Sequence, residues 1–524
     1  MIQISRMKPI CFFVETPMGK VIDLRNIFFI IRQYMPNQSL ILLGPKQLLK
    51  VFLILFLLAP SFGCLAADIK LPMLGDSSSG IVSNNKEYKL GKAWLQQFRR
   101  YVKQHDDPLF QQYLEQLTFD LVTHSELEDT RLTLVLVNNP SINAFAVPGG
   151  IIGVHTGIFT HADNEDQLAS IISHELAHLS QRHYARSVES NQNSSAIALA
   201  GLLATIIVSS KAGTDAGMAT LSATQALATD QQLRYSRNNE KEADRQGIKI
   251  MEKSGRDPKA SAEMLEKMMA ITRYKGSRLP EFLLTHPMTE RRVSDSKTRT
   301  IKYQDQDFPD RFDFYIMQAR AQVLLQDNPK YSIKYFQQKL VEEKTNIDAY
   351  SYGLALSHAN AGNLSLAKQL ISRLREKEAG YDPYIYTDIE IDIAAGNYKQ
   401  ALKTLNYQLG LKPNNYPLKI LYADALWKSH QYQQSAKVLT GLSRQRQQDP
   451  SIWYQLAEVR GLAGNIAGVH RARAEYFILI GALENAQRQL KFAEKLLQKD
   501  VKQLAIVKQR LLEIIEMEKE LKKL

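Results

Sequence analysis

Apolar residues return at helical spacing through most of this chain. Between Glu165 and Arg186, Leu168, Ile171, Ile172, Ala177 and Leu179 recur every few positions with no Pro or Gly between them. That pattern predicts one amphipathic helix. A second helix is expected from Tyr235 through Asp244 toward Met251. Between the two, Ala196–Val208 is strongly apolar but only 13 residues long. A bilayer span needs ~20 such residues. The stretch therefore reads as a buried core helix, or as an apolar hairpin that covers a site or touches a membrane surface.

After about Asp310 the pattern changes to paired helices. Gly362-Asn-Leu-Ser-Leu-Ala367 and Gly396-Asn-Tyr-Lys-Gln-Ala401 lie 34 residues apart. The same step reaches His430, just before Gln-Tyr-Gln-Gln-Ser-Ala436, and then Gly464-Asn; one step back lands on Asn328, before Pro329. Pro413 falls where a repeat would end. A 34-residue period with a G-x-[YL]-x-x-A core is the mark of tetratricopeptide repeats, about four here with degenerate copies counted. Generic helical hairpins are the plainer reading. Helices are expected to continue through Gly481–Leu497 and Val501–Leu524 and to cap the array.

The first 67 residues stand apart. Lys46 and Lys50 precede an apolar run from Val51 to Leu58, then small residues to Ala66 and Ala67. A basic flank, a short apolar core and a small-residue end describe a secretory signal. The residues before Met35 exceed what a signal needs, so Met35 is the expected true start. The only cysteines, Cys11 and Cys64, both fall in this region. A cleaved leader would leave no disulfide framework. A lipid anchor at Cys64 is the weaker alternative, since Ser61 stands where that signal wants Leu.

Composition adds little: 44% hydrophobic and 23% charged residues are ordinary for globular domains. The net charge is +12, and residues 1–67 hold seven Lys/Arg against Glu15 and Asp23. The remaining excess is spread without long basic runs or Arg clusters. That pattern gives no nucleic-acid module and fits an anionic membrane face or acidic partners equally well.

Chemistry concentrates at His174-Glu175-Leu176-Ala177-His178. Histidines four apart on a helix project from one face, so both imidazoles can reach one ion. Zn2+ suits imidazole and carboxylate donors. Glu175 lies beside them, placed to take a proton from an activated water as general base. Downstream, Glu240 and Asp244 are also four apart. One carboxylate of such a pair can ligate zinc while the other accepts a hydrogen bond from a ligand imidazole. Surface histidines and a solvated charged face (Glu240, Lys241, Glu242, Asp244, Arg245) are the bland readings.

HELAHLSQRH together with YSRNNEKEADRQG resembles the membrane-associated gluzincin peptidases, the family of the CAAX prenyl endopeptidases and the heat-shock protease HtpX. Val137–Gly150 is similar to that family's N-A-F-x-x-P-G-G strand and turn, and Leu284-Thr285-His286-Pro287 with Arg292-Val293 to its T-H-P-x-x-x-x-R segment. The resemblance implies that His174, His178 and Glu240 hold one Zn2+, with Asp244 behind them. It also implies a role for His183 as a structural hydrogen-bonder, against a satisfied core histidine. The strand at Asn143 and Ala144 could pair with an extended substrate by strand addition, against a plain core edge. Arg292 reads as a substrate carbonyl or oxyanion contact, or as a surface salt bridge. His286 precedes Pro287 and is pushed toward an extended conformation. From a loop it could occupy zinc's open position as a latch; a transition-state donor or a packing residue are the alternatives.

The expected fold is mainly α: a zincin-type α+β metallopeptidase domain over 68–305, then an α-solenoid of tetratricopeptide repeats with capping helices over 306–524. Solenoids present a concave face to other proteins. An export signal, a gluzincin domain and such repeats together resemble periplasmic proteases that serve outer-membrane protein assembly. That resemblance implies misfolded or stalled outer-membrane proteins as substrates and docking to the barrel assembly machinery through the repeats. It also implies a periplasmic location, in possible contact with the outer membrane. A chaperone or assembly scaffold that seldom cuts is the rival reading.

Overall fold

The computed structural model describes residues 13–15, 21–23, 83–104, 106–190, parts of 201–208, 230–274 and 282–521. The expected signal over residues 46–67 and both cysteines lie outside them. Two compact units separate at Leu74 and Gly75. The first contains an antiparallel pair, β1 (Phe13–Glu15) and β2 (Val21–Asp23), with Val14 opposite Ile22. The second holds everything that follows.

Two helices open the second unit, α1 (Asn84–Tyr101) and α2 (Pro108–Thr123). Asp107 caps α2 by accepting from the amides of Leu109 and Phe110, and Pro108 sits at a first-turn position where its missing N–H costs nothing. A three-stranded sheet follows, in the order β3 (Thr133–Val137), β5 (Ile151–His155), β4 (Ala144–Val147). β5 is buried at every residue; it pairs parallel with β3 and antiparallel with β4. The β4–β5 turn needs Gly149 and Gly150, at φ +81 and +80. Gly153 leaves room for the Phe145 ring, which a Cβ there would overlap at 2.0 Å.

The helices that carry the chemistry come next: α3 (Gly157–His161), α4 (Glu165–Ser180), α5 (His183–Ser190), α6 (Asp230–Lys253), α7 (Lys259–Tyr274), the single turn α8 (Phe282–Thr285) and α9 (Glu290–Thr300). The helix expected to run unbroken to Arg186 instead stops at Ser180. Arg182 takes a left-handed φ of +48, and α5 starts afresh at His183. In the apolar stretch between α5 and α6, Ile206 is buried, and Leu203 and Ile207 pack on the cluster of Trp94, Phe98 and Phe145. These described residues behave as core. Among the described residues no helix is long and apolar enough to cross a membrane.

Helical hairpins make up the rest. They are α10 (Phe312–Leu324) with α11 (Pro329–Glu342), α12 (Ile347–Asn360) with α13 (Leu364–Lys377), and α14 (Asp382–Ala394) with α15 (Tyr398–Leu411). Then come α16 (Tyr416–Lys428) with α17 (Tyr432–Gln445), α18 (Pro450–Leu462) with α19 (Ile466–Leu479), and finally α20 (Leu483–Leu496) and α21 (Val501–Leu521). Gly362, Gly396, His430 and Gly464 all turn left-handed, at φ +80, +76, +64 and +77. The amide after each returns to a carbonyl five residues back: Asn363 to His358, Asn397 to Asp392, Gln431 to Leu426 and Asn465 to Arg460. His430 thus makes the same helix stop as its glycine counterparts. The small position five residues on is Ala367, Ala401 and Ser435, all fully buried.

One apolar cluster runs unbroken from Leu109 and Phe110 of α2, through α4 and α7, to Leu421 and Ala425 of α16. The first hairpins are therefore built into the peptidase core. Further along, Arg446 makes a two-pronged ion pair with Glu115 of α2 at 2.8 and 2.6 Å. Gln96 of α1 donates to the Ile478 carbonyl at 2.9 Å, and Lys89 meets Glu520 of α21 at 2.7 Å. The array accordingly wraps around α1 and α2. A cleft of about 820 Å3 remains between it and the peptidase body, lined by Leu134 and Leu136 of β3 and by Tyr386, Tyr416 and Trp427.

Candidate metal centre

α4 and α6 bring the two motifs together. Asn164 caps α4, and residues 165–177 are all buried, so this helix lies inside the peptidase body with its register fixed by packing. Gly247 lets α6 approach closely: a Cβ there would stand 3.3 Å from the His174 amide nitrogen. One turn apart on α4, His174 and His178 bring their Nε2 atoms to 3.1 Å. Glu240 of α6 places Oε2 at 3.4 Å from the first and Oε1 at 3.3 Å from the second. His286, just after α8, closes the group with Nδ1 at 3.4 Å from His174 Nε2 and at 3.1 and 3.2 Å from the Glu240 oxygens. One donor atom from each of these four residues lies within 4.8 Å of all the others.

These spacings fit a zinc ion. Ligands at ~2.0–2.1 Å in a tetrahedron sit about 3.3 Å from one another. The separations of 3.1–3.4 Å among these donors are of that size. Charge agrees. Glu175, Glu240 and Asp244 are buried carboxylates, and among the described residues Arg292 is the guanidinium set against them, which leaves a negative surplus suited to a cation. Glu175 is fully buried, and neither carboxylate oxygen has a hydrogen-bond partner among the described residues. His286 Nε2 stands 3.4 Å from Glu175 Oε1, an ion-pair distance when the ring is protonated. A buried carboxylate is costly without a partner, so this arrangement suits an occupant that a protein-only structure does not contain.

A shell of fixed groups holds the donors. His174 Nδ1 meets Asp244 Oδ1 at 3.0 Å. Arg292 donates to both Asp244 oxygens at 2.8 and 2.7 Å, reaches Glu240 Oε2 at 2.9 Å and donates to the Pro287 carbonyl at 3.0 Å. Its guanidinium is thus committed to the protein. The ion pair that Arg292 makes is buried and is not the surface salt bridge that the sequence suggested. Burial works against the protonated His174 ring, yet Asp244 and Glu240 outweigh it and lift its pKa to about 10. Burial depresses His178 to about 3. Burial alone would raise Asp244, but Arg292 and His174 bring it down to about 2. His183 lies against His178, with Nδ1 at 2.9 Å from Nδ1.

Residues 108–300 match peptidase family M48, and residues 392–459 match a tetratricopeptide repeat. The beta-barrel assembly-enhancing protease of Escherichia coli (strain K12) is 33% identical over 433 residues, 82% of this chain and 87% of that one. The chain belongs to the beta-barrel assembly-enhancing protease family of M48 peptidases. A Vibrio cholerae protein with the same name, marked putative, is 28% identical over 442 residues, 82% of this chain and 89% of its own. The mitochondrial metalloendopeptidase OMA1 of Arabidopsis thaliana shares 29% over 168 residues, 32% of this chain and 31% of its own. Membership makes this M48 chain a zinc-dependent metalloprotease whose repeats mediate protein contacts.

The structure also places residues in this M48 site that periodicity could not single out. Phe282 stacks on the His286 ring at 4.4 Å and 20° and tilts against His174. Its amide donates to the Ile142 carbonyl, so α8 is pinned to the start of the β4 edge beside Asn143 and Ala144. Asn143 is buried, with Nδ2 at 3.4 Å from His155 Nε2. Glu242 meets His183 Nε2 at 3.3 Å and Arg186 at 2.7 Å. In the sequence it looked like one more acid on a charged face.

Proposed function

We propose that His174, His178 and Glu240 hold the zinc ion and that Glu175 is the general base of peptide hydrolysis. The observation that carries this is the buried Glu175 carboxylate, with no hydrogen bond among the described residues, beside a donor set of zinc size. Zinc supplies Lewis acidity, enough to bring the pKa of a water to ~7. Glu175 takes the proton of the attacking water and delivers it to the leaving amine nitrogen. Asp244 orients His174 through Nδ1, and Arg292 holds Asp244 and Glu240 in place. The outer edge of β4 from Asn143 pairs with an extended substrate strand, which makes cleavage weakly sequence-specific. Such a site acts on unfolded segments.

The substrates are misfolded or stalled outer-membrane proteins of the bacterial envelope. The export signal expected within residues 1–67, the repeat array and the names of the relatives support this reading. The repeats, apart from their covered inner contacts, serve as the docking surface for the barrel assembly machinery. The peptidase domain spans 68–305 and the repeat domain 306–524.

A second reading, an assembly scaffold with latent proteolysis, has one observation in its favour: His286 lies in the same donor group as His174, His178 and Glu240. Glu175→Gln separates the two. It is expected to keep zinc and fold while cleavage of a denatured barrel protein falls ~10²–10⁴-fold, the usual worth of a general base. Unchanged cleavage would overturn the catalytic assignment. Full cellular function without cleavage would give the role to scaffolding.

A further inference from the structure

We infer that His183 and Glu242 form a relay that holds the His178 ring in the one tautomer able to bind zinc through Nε2. The inference rests on the reading that His178 is a zinc ligand. Nε2 of His178 faces His174 Nε2 at 3.1 Å and Glu240 Oε1 at 3.3 Å. To offer a lone pair there, Nε2 must be bare, so the neutral ring carries its proton on Nδ1. That Nδ1 stands 2.9 Å from His183 Nδ1. Two bare nitrogens or two N–H groups at this distance repel, so His183 must accept at Nδ1 and carry its own proton on Nε2. His183 Nε2 stands 3.3 Å from Glu242 Oε2, which Arg186 fixes at 2.7 Å. One proton arrangement satisfies the whole chain: His178 donates to His183, and His183 donates to Glu242.

The backbone is bent to build this contact. On a continuous helix of 3.6 residues per turn, a residue five positions on lies ~140° around the axis. His183 would then point away from His178. The stop after Ser180 and the left-handed Arg182 return it. Arg182 is anchored in turn by two contacts to Glu87 of α1 at 3.2 and 3.1 Å. His174 reaches its carboxylate, Asp244, directly, and His178 reaches one through a second imidazole. Fixing the tautomer and orientation of a ligand imidazole typically changes metal affinity 10–100-fold.

The test is zinc affinity of the full chain, stripped of metal and titrated with Zn2+ against a chromophoric chelator. His183→Leu and Glu242→Leu are each expected to weaken zinc ~10–100-fold, and the double variant no further than the weaker single one. His183→Gln is expected to restore affinity to within a few-fold, because a carboxamide can accept from His178 and donate to Glu242. A merely structural role would not give that rescue. Glu242 is half-buried, so its removal leaves the core packed and the relay testable even if His183→Leu does not fold. Wild-type affinity in folded Glu242→Leu, or additive losses in the double variant, would overturn the relay. His174→Ala is the control. If it keeps tight zinc, the site itself has been misread; if it loses zinc while Glu242→Leu does not, only the relay fails.

Discussion

Phe282 holds the His286 imidazole by face-to-face stacking, and Pro287 follows it, so the ring enters the donor cluster from a constrained backbone. A histidine bound at a fourth place would compete with water and substrate for zinc. Releasing it is worth about tenfold in activity for each ~1.4 kcal/mol of latch stability. His286→Ala is therefore expected to raise basal cleavage of an unfolded protein on the order of tenfold, with zinc retained. Equal or lower activity with zinc still bound would remove the latch. His174, Glu175 and His178 were legible because a four-residue step on a helix has only one geometric meaning. Glu240 and Asp244 were legible as a pair by the same step, and family likeness alone set Glu240 as the expected ligand. Glu242 was not. Its role depends on where α5 begins, and a left-handed Arg182 leaves no periodic trace.

Among the elements, β5 shows how the sheet supports the site. His155 is fully buried on β5, between Ser141 at 2.9 Å and the Asn143 amide at 3.4 Å. Burial pushes its pKa down to about 3. The unfolded chain would take up this proton near pH ~6.5, so the unfolded state binds more protons between the two values. Stability from a neutral buried His155 is full above ~6.5 and is lost as pH falls toward about 3. Unfolding free energy is expected to drop with acidification by up to ~1.4 kcal/mol per pH unit more in the wild type than in His155→Gln. Denaturant titrations of both between pH ~6 and ~4 check this; equal slopes would contradict it. The repeats were more legible than the sheet, because the 34-residue step survives even where His430 replaces glycine. The small sheet mixes a parallel and an antiparallel pair over strands of four and five residues, a pairing that no local pattern encodes.

At the scale of the whole molecule, the junction between peptidase and repeats is sealed by a buried charge. Arg320 of α10 is 5% exposed and pairs with Asp107, the cap of α2. It also holds Glu390 of α14 at 2.9 Å and donates to the Tyr352 hydroxyl at 3.0 Å. Removing one partner of a buried pair strands the others and costs ~3–5 kcal/mol. Arg320→Met is expected to lower unfolding free energy by that order and to loosen the array from α2, read as faster limited proteolysis between α9 and α10. A loss under ~1 kcal/mol would show that the apolar core alone fixes the junction. The sequence divided the two domains by their patterns but could not foresee a shared core, since long-range contacts such as Arg446 with Glu115 leave no mark in either. The proposed function rests on the metal centre built on His174, His178 and Glu240, and the most direct measurement is zinc content. The purified chain is expected to carry one Zn2+, and Glu240→Ala, folded by circular dichroism, close to none. Full zinc occupancy in that variant would contradict the site.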